Sequence, residues 1–463
     1  MNGRATRINL FSLSSIQMRA FHLAWMGFFV CFFAWFAVAP LMPIIRGDLH
    51  LSKDEVANIN IAAVCCTIFS RLLVGPLCDR FGARLTYTWL LALGAIPVVA
   101  IGLSHSYGSF LFFRLCIGAI GASFVITQYH TTTMFAANVV GTANATTAGW
   151  GNAGGGVTQA LMPLLLTAIV SWGATQYLGW RLAMIFPGIL MLVMAFLYFR
   201  FAKDTPQGNL RDIARAAGVD AGRASIGAAS GPMTPTRPSV GKSFITAARD
   251  YRVWLLFITY GACFGIELTI HNLAATYYVD QFSLDVKTAG LYAASFGLLA
   301  LFGRSLGGIL SDRIAHRRGL DGRTNLLFGL ILMEGLGLML FSHADTASTA
   351  LLTMLGFGLF THMACGATYS LTPFVNPRAL GGVAGIIGAG GNAGAVAAGF
   401  LMKGAPSTKQ GLFILGMAVT ASAFCAAAVR FSRDHKSNER QVYYDALGAR
   451  NATAAATLNP VLQ

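Results

Sequence analysis

The chain has 463 residues, 55% of them apolar and 11% charged, with a formal net charge of +15. Soluble domains carry about a quarter charged residues, so too little polar surface remains here to cover a soluble core. The composition excludes a water-soluble globular protein and points to helices solvated by lipid.

A spanning helix needs ~20 mostly apolar residues. Such stretches fall at 21–45, 56–78, 85–104, 108–135, 143–170 and 180–200, then at 251–279, 288–311, 324–343, 348–373, 382–404 and 409–430. The basic segment ahead of the first run is followed by a full span without a small-residue cleavage site, so the run reads as a membrane helix rather than a signal peptide. Residues 1–20 and 431–463 are the polar ends. The stretch 201–250, rich in Ala, Gly, Arg and Pro, reads as a linker between an N-terminal bundle, 21–200, and a C-terminal bundle, 251–430. The expected fold is therefore all-α and integral to the membrane, with twelve transmembrane helices in two six-helix bundles.

Most of the 33 Lys and Arg fall on the side of the termini. The exceptions are Arg46, Lys53, Arg181, Lys287, Lys403 and Lys409 opposite, and Arg71, Arg114 and Arg304 inside spans. This asymmetry places both termini in the cytoplasm and explains the net charge by topology, without a nucleic-acid partner. The eight cysteines sit in or beside apolar runs, and no Cys/His spacing suits a metal. No cofactor is expected. No nucleotide loop or nucleophile–base pair suggests an enzyme.

The halves echo each other. Phe69, Arg71, Gly75, Leu77, Asp79 and Arg80 recur, at an offset of 233, as Phe302, Arg304, Gly308, Leu310, Asp312 and Arg313. Gly151-Asn152-Ala153-Gly154 recurs as Gly391-Asn392-Ala393-Gly394. A duplicated six-helix unit follows. Transporters built on such repeats bind substrate near mid-membrane between the halves.

Arg71 and Arg304 each sit seven residues inside a span, ~10 Å from its end. A charge there costs ~2.5–3.5 kcal/mol on insertion scales, so something must compensate it. An intramembrane salt bridge is one solution. The spans hold only Glu267 and Glu334 against three arginines, which leaves a surplus positive charge suited to a small planar oxyanion. Arg114, nearer a span end, is expected to snorkel and to be structural. Asn152 and Asn392 place an amide at matching positions of two glycine-rich helices, where close packing is the plain reading. Tyr260, Phe264, Glu267 and His271 share one face of the seventh span. That face can be a hydrogen-bonded helix contact, or a cavity wall on which Glu267 or His271 exchanges a proton. Phe28, Phe32 and Trp35 form a stripe on the first span. The fourth span carries Phe124, Gln128 and His130. Glu334, in the ninth span, has no role on this reading.

Gly75-Pro-Leu-Cys-Asp79-Arg80-Phe-Gly82-Ala-Arg84 resembles the loop motif of the major facilitator superfamily. AGWGNAGGGVTQ at 148–159 and GAGGNAGAVAAG at 388–399 resemble the paired signatures of its nitrate/nitrite porter family. The resemblance implies a nitrate transporter, with nitrite also possible as substrate. It implies that Arg71 and Arg304 grip the anion, with Tyr260, Phe264, Phe124, Phe32, Asn152 and Asn392 lining the site. It assigns Asp79, Arg80, Asp312 and Arg313 to gating. Glu267 in FGIELTIHN is similar to the proton-symporting, high-affinity branch, although the long C-terminal extension of many eukaryotic members is missing. The expected partners are nitrate, protons and the lipid bilayer, with no obligatory protein partner. The expected location is a plasma membrane, the inner membrane of a bacterium. Nitrate/nitrite exchange, or a sensor that binds without transport, are the competing functions.

Overall fold

A computed structural model describes residues 3–135, 139–216, 240–376, 379–437 and 440. Lipid offers no hydrogen bonds, so each spanning segment must satisfy its own backbone, and the chain does so with helices. Among the described residues there is no strand, only isolated bridges pairing Ala5 with Phe135 and Thr205 with Gly208.

In the N-terminal half the helices are α1 (Ile16–Phe36), α2 (Met42–Asp48), α3 (Lys53–Ala100), α4 (Tyr107–Gly118), α5 (Ser123–Met134), α6 (Val140–Ser171), α7 (Gln176–Ala183) and α8 (Ile185–Phe201). Two short helices follow, α9 (Leu210–Ala216) and α10 (Val240–Ala248). The C-terminal half has α11 (Tyr251–Phe282), α12 (Val286–Leu298), α13 (Ala300–Ser342), α14 (Ala347–Leu371), α15 (Leu380–Gly404) and α16 (Thr408–Ala428). Eleven stretches among the described residues are long and apolar enough to cross a membrane. The helical segment 53–81 corresponds to the remaining sequence-read span.

Local chemistry sets the helix ends. Ser52 accepts from the Glu55 backbone while the Glu55 carboxylate accepts from the Ser52 backbone, a reciprocal cap that starts α3. Thr175, Asp250, Asp285, Thr346 and Ser407 cap α7, α11, α12, α14 and α16 in the simpler way. Inside α3 and α13 the backbone breaks at Gly82 (φ 83°) and Gly319 (φ 58°). Positive φ favours glycine, and a side chain at Gly82 would also strike the buried Asp204 carboxylate. That carboxylate accepts from the backbone N–H of Arg84 and Leu210. These breaks turn each long helix into two spans.

Both breaks, the described residues that begin at Gly3 and those that lead up to 437 lie on one face, called here the terminal face. Ala5 donates to the Met134 carbonyl there, and Lys436 pairs with Asp321. The 201–250 stretch carries α9 and α10, and 217–239 lies outside the described residues. The tail begins with Phe431 buried against Arg252.

The halves meet crosswise. Helix α6 packs on α12 and α13, and α3 packs on α15. The second span of one half thus meets the fifth span of the other, twice over, as a pseudo-twofold axis requires. On the distal face the halves are bolted by a bidentate pair, Arg46 to Asp280 at 2.7 Å through both nitrogens, and by Lys403 donating to Asn58 at 2.9 Å.

Candidate functional site

The crosswise packing carries Arg71 and Arg304 toward each other from opposite halves. Their guanidinium carbons lie 5.7 Å and 5.4 Å from the centroid of one ring, Phe264. Arg71 also lies 5.5 Å from the Phe124 ring. Phe264 is stacked on Tyr260, one turn earlier on α11, with centroids 5.3 Å apart and planes 11° from parallel. Tyr369 closes the cluster: it meets Tyr260 edge-on at 5.1 Å and faces Phe124 across the two halves at 6.0 Å. Tyr369 escaped the sequence reading because its stretch of α14 carries neither a charge nor one of the quoted motifs.

The glycine signatures fix where these rings sit. A Cβ on Gly391 would stand 2.4 Å from Phe264, and one on Gly151 would stand 2.0 Å from Phe28. Only glycine lets the two rings seat against the signature helices. The matching contacts make Phe28 the N-terminal counterpart of Phe264. Phe28 is also the first-span ring beside Phe124, at 5.7 Å. Phe32, the ring expected in that place, instead meets Phe28 edge-on at 4.6 Å and Trp35 at 5.3 Å.

The two arginines differ in their partners. Arg304, 4% exposed, donates from Nη2 to Glu267 at 2.6 Å, and Glu267 is fully buried. Asn152 reaches Arg304 from the other half. With its amide oxygen turned toward the guanidinium it accepts from Nη2 at 2.6 Å, Nε at 2.9 Å and Nη1 at 3.1 Å. The intramembrane salt bridge and the asparagine contact therefore meet at one residue. Arg71 has only carbonyl acceptors, Gly388 at 3.2 Å and Gly121 at 3.5 Å, and its Nε has no hydrogen-bond partner. Asn392 is buried with neither amide atom bonded.

His271 follows Glu267 on α11 but does not pair with it. Its ring stands between Phe36, at 4.8 Å, and Phe296, at 5.7 Å, and neither nitrogen is bonded. The imidazole that does face Glu267 is His362 of α14, with Nδ1 at 3.5 Å from Oε2. Spacing along the chain gives no signal for a contact between residues 95 positions apart.

Three expectations need correction or placement. Arg114 does not snorkel: it is 1% exposed and donates to the Trp35 carbonyl and to Asn272 at 2.7 Å, which gives it a structural role. Glu334, which had no role in the sequence reading, is fully buried and faces Thr361 and Cys263. In the loop motif, Asp312 pairs with Arg323 at 2.7 Å, while Arg313 and Arg80 are exposed at the terminal face. The Asp79 side chain lies outside the described residues. Among the described residues no cluster could hold a metal ion.

The sequence profile of the Major Facilitator Superfamily matches residues 24–399. The chain is 37% identical to the high affinity nitrate transporter 2.5 of Arabidopsis thaliana, over 89% of this chain and 80% of that one. It is 37% identical to nitrate transporter 2.2 of Chlamydomonas reinhardtii, over 85% and 74%. It is 27% identical to the nitrate/nitrite transporter NrtP of Nostoc punctiforme, over 84% and 87%. In fold it is similar to a bacterial homolog of the human lysosomal transporter Spinster, crystallised inward-facing and occupied, with a TM-score of 0.67 and 14% identity over 90% of this chain and 98% of that one. Profile, relatives and helical architecture agree: the chain is a membrane transporter, not an enzyme, and it belongs to the nitrate/nitrite porter family of the major facilitator superfamily.

Proposed function

We propose that this protein imports nitrate by alternating access, with the anion held between Arg71 and Arg304 and driven by protons. The observation that carries the reading is the convergence of two arginines, one from each half, on the Phe264 ring. Two planar guanidinium forks can donate bidentately to a planar oxyanion, and the aromatic rings give its faces a dry contact. The names of the relatives support nitrate as substrate, and the NrtP relative supports nitrite as a second. Tyr260, Phe264, Phe124, Asn152 and Asn392 would line the site. Rocking of bundles 21–200 and 251–430 would expose it to each side in turn, with the Asp312 and Arg313 motif and its N-terminal copy at Asp79 and Arg80 as the terminal-face gate. Both termini would be cytoplasmic, in a bacterial inner membrane, with no obligatory protein partner.

Energetics support coupling. A monovalent anion entering against ~100 mV, negative inside, pays about 2.3 kcal/mol. One proton per nitrate cancels that cost and lets the pH gradient drive entry, and more than one adds an electrical driving force. Glu267 is a carboxylate already bound to a substrate arginine, so anion and carboxylate would compete for the same donors. The test is uptake of labelled nitrate into proteoliposomes, with nitrite as competitor and a pH dye inside. Acidification should accompany uptake, and nitrite should compete. Uptake that needs nitrite release and moves no protons would replace symport with exchange, and binding without counterflow would make the protein a sensor.

A further inference from the structure

His362 is fully buried in α14. Its Nε2 lies 3.1 Å from the backbone carbonyl oxygen of Phe296. A carbonyl only accepts, so Nε2 carries a hydrogen. In a neutral ring the other nitrogen, Nδ1, is then a bare lone pair. That lone pair stands 3.5 Å from Oε2 of Glu267, and Nδ1 has no hydrogen-bond partner. Glu267 is itself underfilled: Oε2 accepts from Arg304 and makes a long contact to the Cys365 thiol at 3.7 Å, while Oε1 has no partner. Two acceptors thus face each other in a site closed to water, which is costly. One proton between them removes the conflict.

We infer that His362 and Glu267 together form the proton-binding site of this transporter. The inference rests on the proton-coupled reading above and names where the proton sits. The charged and titratable groups facing His362 are Glu267 and His271 of α11 and Arg304 of α13, while Cys365 of α14 contacts Glu267. Helix α12 supplies the Phe296 carbonyl and ring. His271 also interacts electrostatically with Glu267. With a neutral imidazole, the charges of Glu267 and Arg304 cancel. A proton adds one positive charge, and a bound nitrate removes it. Each ligand therefore lowers the cost of the other, and the coupling is reciprocal. Protonation also draws Glu267 toward His362 and frees an Arg304 N–H for the anion. The step is a simple proton transfer: a hydronium of the open cavity gives up its proton, an N–H bond forms at Nδ1, and water is left. After reorientation the proton returns to water on the other side.

The test uses His362→Gln and His362→Asn in proteoliposomes. Both variants should still exchange labelled nitrate in counterflow, at a reduced rate. Protons entering per nitrate should fall at least tenfold, and the pH dependence of uptake across the imidazole range should flatten. Acidification equal to that of the unsubstituted protein in both variants would overturn the assignment. If the unsubstituted protein moves nitrate but no protons, the proton-coupled reading itself fails. Should neither variant fold, infrared difference spectra of the unsubstituted protein with ring-labelled histidine decide. Nitrate should raise an imidazolium signal, and its absence would also overturn the assignment.

Discussion

The same six-residue echo places an arginine in each half, yet the two arginines live in different company. Arg304 is committed, to the Glu267 carboxylate and, from the opposite half, to the Asn152 oxygen. Among the described residues, Arg71 donates only to the carbonyls of Gly388, also from the opposite half, and Gly121. Each arginine is thus met by the glycine-rich helix of the other half, which duplication with crosswise packing imposes. Only the C-terminal half adds a counter-ion. The difference teaches that the repeat fixes where the two arginines sit but not how each is neutralised, and under the proposed function it would divide their labour, with Arg71 as the standing positive charge and Arg304 as a charge that Glu267 can hold or release.

Four measurements would break or sharpen that comparison. The largest effect treats the arginines as equals. Arg71→Lys and Arg304→Lys should each lower nitrate uptake at least ~100-fold, because lysine offers a point charge and no planar fork. Near-normal affinity in both would remove the clamp. Stability should then separate them. Arg304→Ala leaves a buried carboxylate unpaired and should cost about 3–5 kcal/mol, whereas Arg71→Ala, which abandons no carboxylate, should cost about 1 kcal/mol or less. Thermal unfolding in detergent reads the contrast, and adding Glu267→Gln to Arg304→Ala should recover most of the loss. Equal costs would mean that Glu267 does not hold Arg304.

A smaller effect comes from the ring seats. Gly391→Ala pushes a methyl into Phe264, the ring both arginines share, and should weaken nitrate binding about tenfold, an overpacking cost of ~1–3 kcal/mol. Gly151→Ala displaces Phe28, which neither arginine overlies, and should weaken binding less. Titration of nitrate-induced thermal stabilisation compares the two, and a stronger effect at Gly151 would reverse the assigned roles. The smallest effect is at the distal bolt. Arg46 and Asp280 are 31% and 41% exposed, so Asp280→Asn should cost at most ~1 kcal/mol and shift the distal face toward opening by less than about fivefold. Labelling of a cysteine introduced on the distal face would read that shift.

The spans, the duplication and the two arginines were legible because each is written locally. A 20-residue apolar run, a repeated motif and a charge in a greasy helix need no partner to be recognised. Of the competing expectations for Arg304, the salt bridge is present, to Glu267, and the anion-ligand role is the reading proposed above. Arg114 was misjudged because its depth along the helix says nothing of Asn272 and the Trp35 carbonyl, which satisfy it inside. Phe28 and Phe32 lie on the same stripe of α1, and only the seat left by Gly151 separates them.

The amino-acid sequence by itself determined that this protein crosses the membrane repeatedly, that it is two copies of one unit, and that its interior holds more positive than negative charge. Lipid enforces the first, since it offers the backbone no hydrogen bonds, while the repeat and the surplus charge are written in the residues themselves. Only the tertiary structure decided which arginine is neutralised, which ring both arginines share and which histidine confronts Glu267. Those pairings join residues 37 to 193 positions apart, and side-chain direction after helix packing, rather than spacing along any one helix, settles them.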